Sequence, residues 1–347
     1  MDLALLKELS QADAIAAHED SVRAIIKREL ADYADTFEFD GLGSLLVTKA
    51  SADSTAPTVM FAAHMDEVGF MIRSISDQGF GYLMPIGSVE QRSMAMQMVR
   101  VTTSTGEQIE GLLNVSKDAT GSIEQMYVDF GFDTQSAALN AGISIGDMVT
   151  FVSDARELVA EDVVAGKALD DRVGCYTLIK VMQTLLQADL PINVVAAFTS
   201  SEEVGTRGGR LVANIVQPDL FFAIDVAKHP ELDQGFMNHR RLGAGPMLEY
   251  FDKTMVPNPR LLRFIEQVAA THALPYQKDL MKGGGTDAGT AHLEHAGRLA
   301  AVLGIPLRYC HDSFSFANTQ DLATMIALIR ALIHSLDADK IKELYTY

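Results

Sequence analysis

At 347 residues, 48% hydrophobic and 21% charged, the chain has ordinary globular composition and length for one large domain or two unequal ones, which excludes a disordered protein. Its formal net charge of −18 sets it against a nucleic-acid duplex or an anionic membrane surface, so neither is expected as a partner.

In chain order, residues 19–30 read as a helix, because Val22, Ile25, Ile26 and Leu30 recur at three- and four-residue steps and give one buried face. Asp40-Gly41-Leu42-Gly43 is turn chemistry leading into a strand over 44–48, and the apolar run 57–63 suits a strand buried on both faces. From about Gly69 to Asp162 the texture changes to short alternating segments. Residues 98–103 and 108–113 flank a turn at Ser104-Thr105-Gly106, 126–130 and 148–152 read as further strands, and a short helix lies near 135–140. This mostly β stretch, 69–162, is expected to be a small barrel-like insertion between 1–68 and 163–347. After Ala165 strands and helices alternate: helix 173–186, strand 192–198, helix 208–215, strand 220–224, and amphipathic helices at 259–272 and 318–336. Such alternation argues for an α/β fold with a mainly parallel sheet covered on both faces.

The two cysteines, Cys175 and Cys310, make at most one bridge, which a reducing compartment does not require. The first residues lack the basic start and long apolar run of a secretion signal, and no apolar run reaches the ~18 residues of a membrane span. A cytoplasmic protein is expected.

The buried runs end in polar groups in a repeated way. The run over 57–63 meets His64-Met65-Asp66-Glu67, the one over 192–198 meets Thr199-Ser200-Ser201-Glu202-Glu203, and the one over 220–224 meets Asp225. Ligands of open α/β sheets bind at the carboxyl ends of strands, so three ends could converge on one crevice. His64 and Asp66 share a face on an extended backbone, and a metal-bound imidazole usually donates its other N–H to a carboxylate or carbonyl. Asp170 and Asp171 open a helix, where the dipole favours negative charge, and a carboxylate can bridge two cations, one per oxygen. Glu202 and Glu203 are awkward to ionise together unless a cation is near; one could then ligate while the other acts as general base. Each feature alone has a blander reading: a surface pair at His64 and Asp66, an N-cap at Asp170, a solvated loop at Glu202, exposed or satisfied groups at Asp225 and His311. Together His64, Asp170, Glu203, Asp225 and His311 offer two imidazoles, three carboxylates and no thiolate, a set suited to Zn²⁺, Co²⁺ or Mn²⁺. Two dications against three carboxylates and one hydroxide make a neutral centre, which is buried without a large Born penalty.

At these residues the sequence resembles the tetrahedral aminopeptidases, a family that includes glutamyl aminopeptidases and proteins once labelled endoglucanases. The matching stretches are AHMDEVGF around His64, GKALDDRVG (166–174), SSEEVGTRGG (200–209), the strand end at Asp225, GGTDA (284–288) and RYCH (308–311), in family order and across nearly the whole chain. The resemblance implies a three-layer α/β/α zinc-exopeptidase-like domain interrupted by a β-barrel-like dimerisation domain. It implies that two divalent ions, Zn²⁺ first and Co²⁺ or Mn²⁺ as alternatives, share Asp170. His64 and Asp225 would complete one site and Glu203 with His311 the other; Glu202 would be the base and Asp66 would support His64. It further implies hydrolysis of N-terminal residues from short peptides, and homo-oligomers in which dimers build tetrahedral dodecamers. Two departures stand out. His311-Asp312-Ser313-Phe314 replaces the family's His-Ser-Pro, and Glu294 to Ala300 replaces a Gly-Xaa-Pro lead into the last strand, with His292 and His295 expected on a surface helix.

Competing readings are a di-metal deacylase or carboxypeptidase, a glycosidase using Glu202 and Glu203, and a non-catalytic scaffold. The glycosidase is disfavoured because its carboxyls must stand about 5–9.5 Å apart across a sugar. Arg240, Arg241 and Lys282 are candidates for contacting an acidic substrate side chain, with solvated surface cations as the alternative.

Overall fold

The structure is a computed structural model and describes residues 2–32, 37–228, 240–281 and 283–346. Its centre is four parallel strands, Asn193–Thr199, Thr58–His64, Leu220–Lys228 and Leu299–Arg308, hydrogen-bonded in that order. Antiparallel strands extend both sides: Leu45–Lys49 and Phe37–Phe39 beyond the first, and Ser315–Asn318, Val163–Gly166 and Arg156–Glu157 beyond the last.

Side-chain alternation explains the layering. In Thr58–His64, Val59, Phe61 and Ala63 enter one core with the helices Leu169–Leu185, Pro259–Thr271 and Thr319–His334. Met60 and Ala62 point the other way, against the helices Arg207–Val216 and Asp287–Ala291. Residues at two-step spacing share a face, so a strand apolar at every position must be covered twice. The result is the expected α/β/α arrangement. Between Thr58–His64 and Val163–Gly166 the chain forms a closed six-stranded antiparallel barrel, its strands running from Gly69–Ile75 to Met148–Phe151 around Phe70, Val99, Val101, Leu113, Val149 and Phe151.

Three local features differ from the sequence reading. A helix, Leu3–Gln11, precedes the first one expected; Asp2 caps it through the Leu5 N–H, and Leu5, Leu6 and Leu9 are buried. Asp170 and Asp171 do not occupy a regular first turn: both have non-helical backbone angles, and regular helix begins after them. The strand expected to stop before Asp225 continues to Lys228. Among the described residues, no helix is long and apolar enough to cross a membrane.

Candidate active site

Strand register brings the chemistry together. Thr199 pairs with His64, so the chain leaving one strand reaches Glu202 and Glu203 beside the end of the other. Ala223 pairs with Ala62, and the same register two residues on sets Asp225 level with His64. Asp170 comes from the turn before its helix, and His311 from the loop after Leu299–Arg308.

Asp170 is the hub. His64 Nε2 lies 3.1 Å from its Oδ1, while His311 Nε2 lies 3.2 Å from its Oδ2. His311 Nε2 is also 3.3 Å from Glu203 Oε1. The donor atoms of His64, Asp170 and Asp225 all fall within 4.8 Å of one another, and those of Asp170, Cys310 and His311 do the same. One carboxylate therefore belongs to two donor groups, one oxygen facing each. The remaining imidazole nitrogens are fixed by main chain: His64 Nδ1 donates to Asp66 O at 2.9 Å and His311 Nδ1 to Ser88 O at 3.0 Å. With Nδ1 committed, Nε2 is the nitrogen left on each ring either to donate a proton to Asp170 or, once deprotonated, to offer a lone pair to an ion in its place.

Electrostatics favour cations here. Burial pushes the carboxyls of Glu202, Glu203 and Asp225 upward; neighbouring carboxylates add to the rise, and His64 or His311 opposes it. Asp170 goes the other way, because hydrogen bonds from His311 and His64 outweigh its burial and hold it below the carboxylate range. Burial works against protonating His64, but its hydrogen bonds to Asp170 and Asp66 and the nearby acids push its pKa up. Without cations, protons must collect in this cluster to limit repulsion. Divalent ions would take their place, and the donor set fits them.

The supporting residues match the sequence reading only in part. The Asp66 carboxylate accepts the N–H groups of Glu202 at 3.0 Å and Glu203 at 3.1 Å, so it orients the acidic pair more directly than it does the imidazole, from which Oδ1 stands 3.6 Å away. Asp171 accepts the His64 N–H at 3.2 Å and the Gly174 N–H at 3.1 Å. Asp287, of the GGTDA stretch, accepts from Thr199 Oγ1 at 2.6 Å and Gly209 N at 3.0 Å; burial raises its pKa to about 6. Gly209 must lack a side chain, since a Cβ there would stand 2.5 Å from the Asp287 carboxyl. Glu19 accepts from Ser200 Oγ at 2.7 Å and Ser201 N at 3.2 Å, a role without local sequence signal because its partners lie about 180 residues away.

A cavity of about 730 Å³ opens over His64, Asp170, Glu202, Glu203, Asp225 and His311. Lys228 and Lys253 also line it, with no motif to mark them; Lys228 Nζ is 2.6 Å from Glu90 Oε1. Arg240 is neither a solvated cation nor a lining residue: it is buried, pairs with Asp279 and donates to Lys228 O at 2.7 Å and Leu280 O at 3.2 Å. Arg241 is exposed, and Lys282 lies outside the described residues. His292 ends the short helix Asp287–Ala291, and His295 lies beyond it, exposed and at positive φ.

Comparison with known proteins gives the family. The M42 glutamyl aminopeptidase family matches residues 43–328. The chain is 32% identical to a glutamyl aminopeptidase of Lactococcus lactis, with 99% of this chain and 98% of the relative covered. It is 31% identical to a lysyl aminopeptidase of Pyrococcus furiosus, covering 97% and 98%. A TET aminopeptidase from a marine sediment archaeon of the Thaumarchaeota superposes with TM-score 0.93 at 29% identity, covering 99% of both chains. The TET1 peptidase of Pyrococcus horikoshii, which assembles into a tetrahedron or a large octahedral shell, superposes with TM-score 0.87 at 27% identity, covering 96% and 99%. The chain belongs to the M42 glutamyl aminopeptidase family and is a hydrolase acting on peptide bonds.

Proposed function

We propose that the protein is a di-metal aminopeptidase that removes N-terminal residues from short peptides. The observation that carries this reading is Asp170, whose two oxygens face two different imidazoles. In this reading His64, Asp170 and Asp225 hold one divalent ion, and Asp170, Glu203 and His311 hold the other. Zn²⁺ is the first candidate, with Co²⁺ or Mn²⁺ as alternatives. The bound ions would lower the pKa of water and polarise the scissile carbonyl.

The protein's own groups do the rest. Glu202 is buried in the cavity floor, and burial favours its proton-bearing form. With the ions bound it would stand as the carboxylate, a base strengthened by burial, which accepts the proton of the attacking water and passes it to the leaving amine. Asp66 holds the Glu202 and Glu203 amides, which keeps base and ligand on adjacent but separate tasks. The family, which includes glutamyl and lysyl aminopeptidases among the relatives, favours an aminopeptidase over a carboxypeptidase.

Substitution tests the base. Glu202→Gln should retain two ions per chain yet lose ~10²–10⁴-fold in kcat on aminoacyl-p-nitroanilides; retained turnover overturns the assignment. Cleavage of N-acetylated substrates as fast as free ones favours the deacylase reading instead.

We further propose that residues 1–68 and 163–347 act as the catalytic domain and 69–162 as a dimerisation domain. Exposed methionines on or beside the barrel strands, Met84, Met96 and Met98, support it, since Met is enriched in interface cores. By likeness to the horikoshii peptidase, which forms a dodecamer and can assemble into a tetrahedron, dimers would build a tetrahedral dodecamer; the protein would work in the cytoplasm.

A further inference from the structure

The loop that delivers His311 also delivers a buried thiol. Cys310 Sγ lies 2.9 Å from Asp170 Oδ2, the same oxygen that His311 Nε2 approaches at 3.2 Å. Sulfur, carboxylate oxygen and ring nitrogen fall within 4.8 Å of one another. Bonds of about 2.0–2.3 Å to a single ion give donor atoms a comparable spread. Glu203 adds an independent observation: its side chain is 6% exposed and faces His311 at 3.3 Å, yet Oε1 makes no hydrogen bond. A buried carboxylate oxygen with no hydrogen bond, 3.3 Å from the imidazole nitrogen that belongs to this donor group, favours a cation beside it.

We infer that Cys310 supplies a thiolate to the ion shared by Asp170, Glu203 and His311. The inference rests on the di-metal reading above and adds a sulfur ligand to a donor set that otherwise holds only nitrogen and oxygen. On binding, the S–H proton leaves to solvent and a sulfur lone pair forms the metal bond, with no change of oxidation state; coordination deprotonates a thiol outright. The two halves of the site then differ in softness. The half with His64 and Asp225 is a nitrogen and oxygen site, while the half with Cys310 favours Zn²⁺ or Co²⁺ over Mn²⁺ or Mg²⁺.

The test uses the full chain stripped of metal and reloaded with Co²⁺, with metal content and the near-ultraviolet spectrum read on one sample. A sulfur-to-cobalt charge-transfer band is expected in the unaltered protein, kept in Cys175→Ser and lost in Cys310→Ser. Zn²⁺ affinity in Cys310→Ser should fall ~10–100-fold while Mn²⁺ affinity changes about 2-fold or less. Two bound cobalt ions without the band overturn the thiolate alone and leave Cys310 as a hydrogen-bond donor to Asp170. Failure to bind cobalt overturns the di-metal reading with it. A band that survives Cys310→Ser also overturns the assignment. Should that variant misfold, the presence or absence of the band in the unaltered protein still decides whether sulfur binds cobalt.

Discussion

Both oxygens of Asp66 are committed, one to the amide of Glu202 and one to the amide of Glu203. Asparagine at this position keeps one acceptor and turns an NH₂ group toward the other amide, setting donor against donor. Asp66→Asn should therefore lower kcat ~10–100-fold with metal content unchanged, as loss of a partner that orients ligands does elsewhere. Equal kcat for the two proteins, with metal measured in both, would remove Asp66 from the positioning apparatus. At this scale the sequence is informative where chemistry and spacing coincide. His64, Asp170, Glu202, Glu203, Asp225 and His311 each sit at the end of a buried run or within a motif, and all line one cavity. Cys310 is invisible as a donor in the sequence, because its approach to Asp170 depends on a loop fold between residues 140 apart. Glu19 is hidden for the same reason.

The elements are legible where periodicity is strong. The doubly buried strand Thr58–His64 and the helix Thr319–His334 both follow from side-chain spacing. The short strands Met247–Glu249 and Gln277–Asp279 do not, because three residues carry no period; the first is defined by pairing with Leu299–Arg308 and the second by pairing with the first. Met247–Glu249 ends in a carboxyl that is 1% exposed, and neither of its oxygens has a hydrogen-bond partner. Burial raises the pKa of Glu249 from 4.5 to about 7, with Arg240 opposing the rise. A carboxyl whose folded pKa lies above its unfolded value favours the native state when protonated. That stability is present below the unfolded pKa and is lost as pH climbs through the window from 4.5 to about 7. Glutamine mimics the protonated group. Glu249→Gln should thus leave unfolding free energy at pH 4 nearly unchanged and raise it at pH 8 by roughly 3 kcal/mol. Denaturant melts at the two pH values decide it: an equal effect at both means that Glu249 is ionised throughout.

The whole molecule is organised around unequal treatment of charge. Several buried charges that serve the architecture are paired. Lys167 Nζ sits 2.8 Å from Asp13 Oδ1 and 2.6 Å from Glu67 Oε1, and Arg100 of the barrel reaches Asp13 at 3.0 Å. Arg172 donates to Met65 O at 2.9 Å, Leu9 O at 2.6 Å and Ala12 O at 2.8 Å, tying the first helix to the turn after His64. In the cavity floor the acids instead face one another and two histidines. A chain of net charge −18 adds its long-range field to that local repulsion. Cations bound there would couple to folding, since the unfolded chain scatters these donors and offers no equivalent site. Stability should then climb with the logarithm of free metal, by about 2.7 kcal/mol for each site held at 100 times its dissociation constant. Scanning calorimetry on chelator-dialysed protein, titrated with Zn²⁺, should show a rising melting temperature that His64→Ala and His311→Ala each blunt. A transition indifferent to chelator and to added Zn²⁺ would mean that the acidic cluster is stable with protons alone, and the cavity would then have no resident cations.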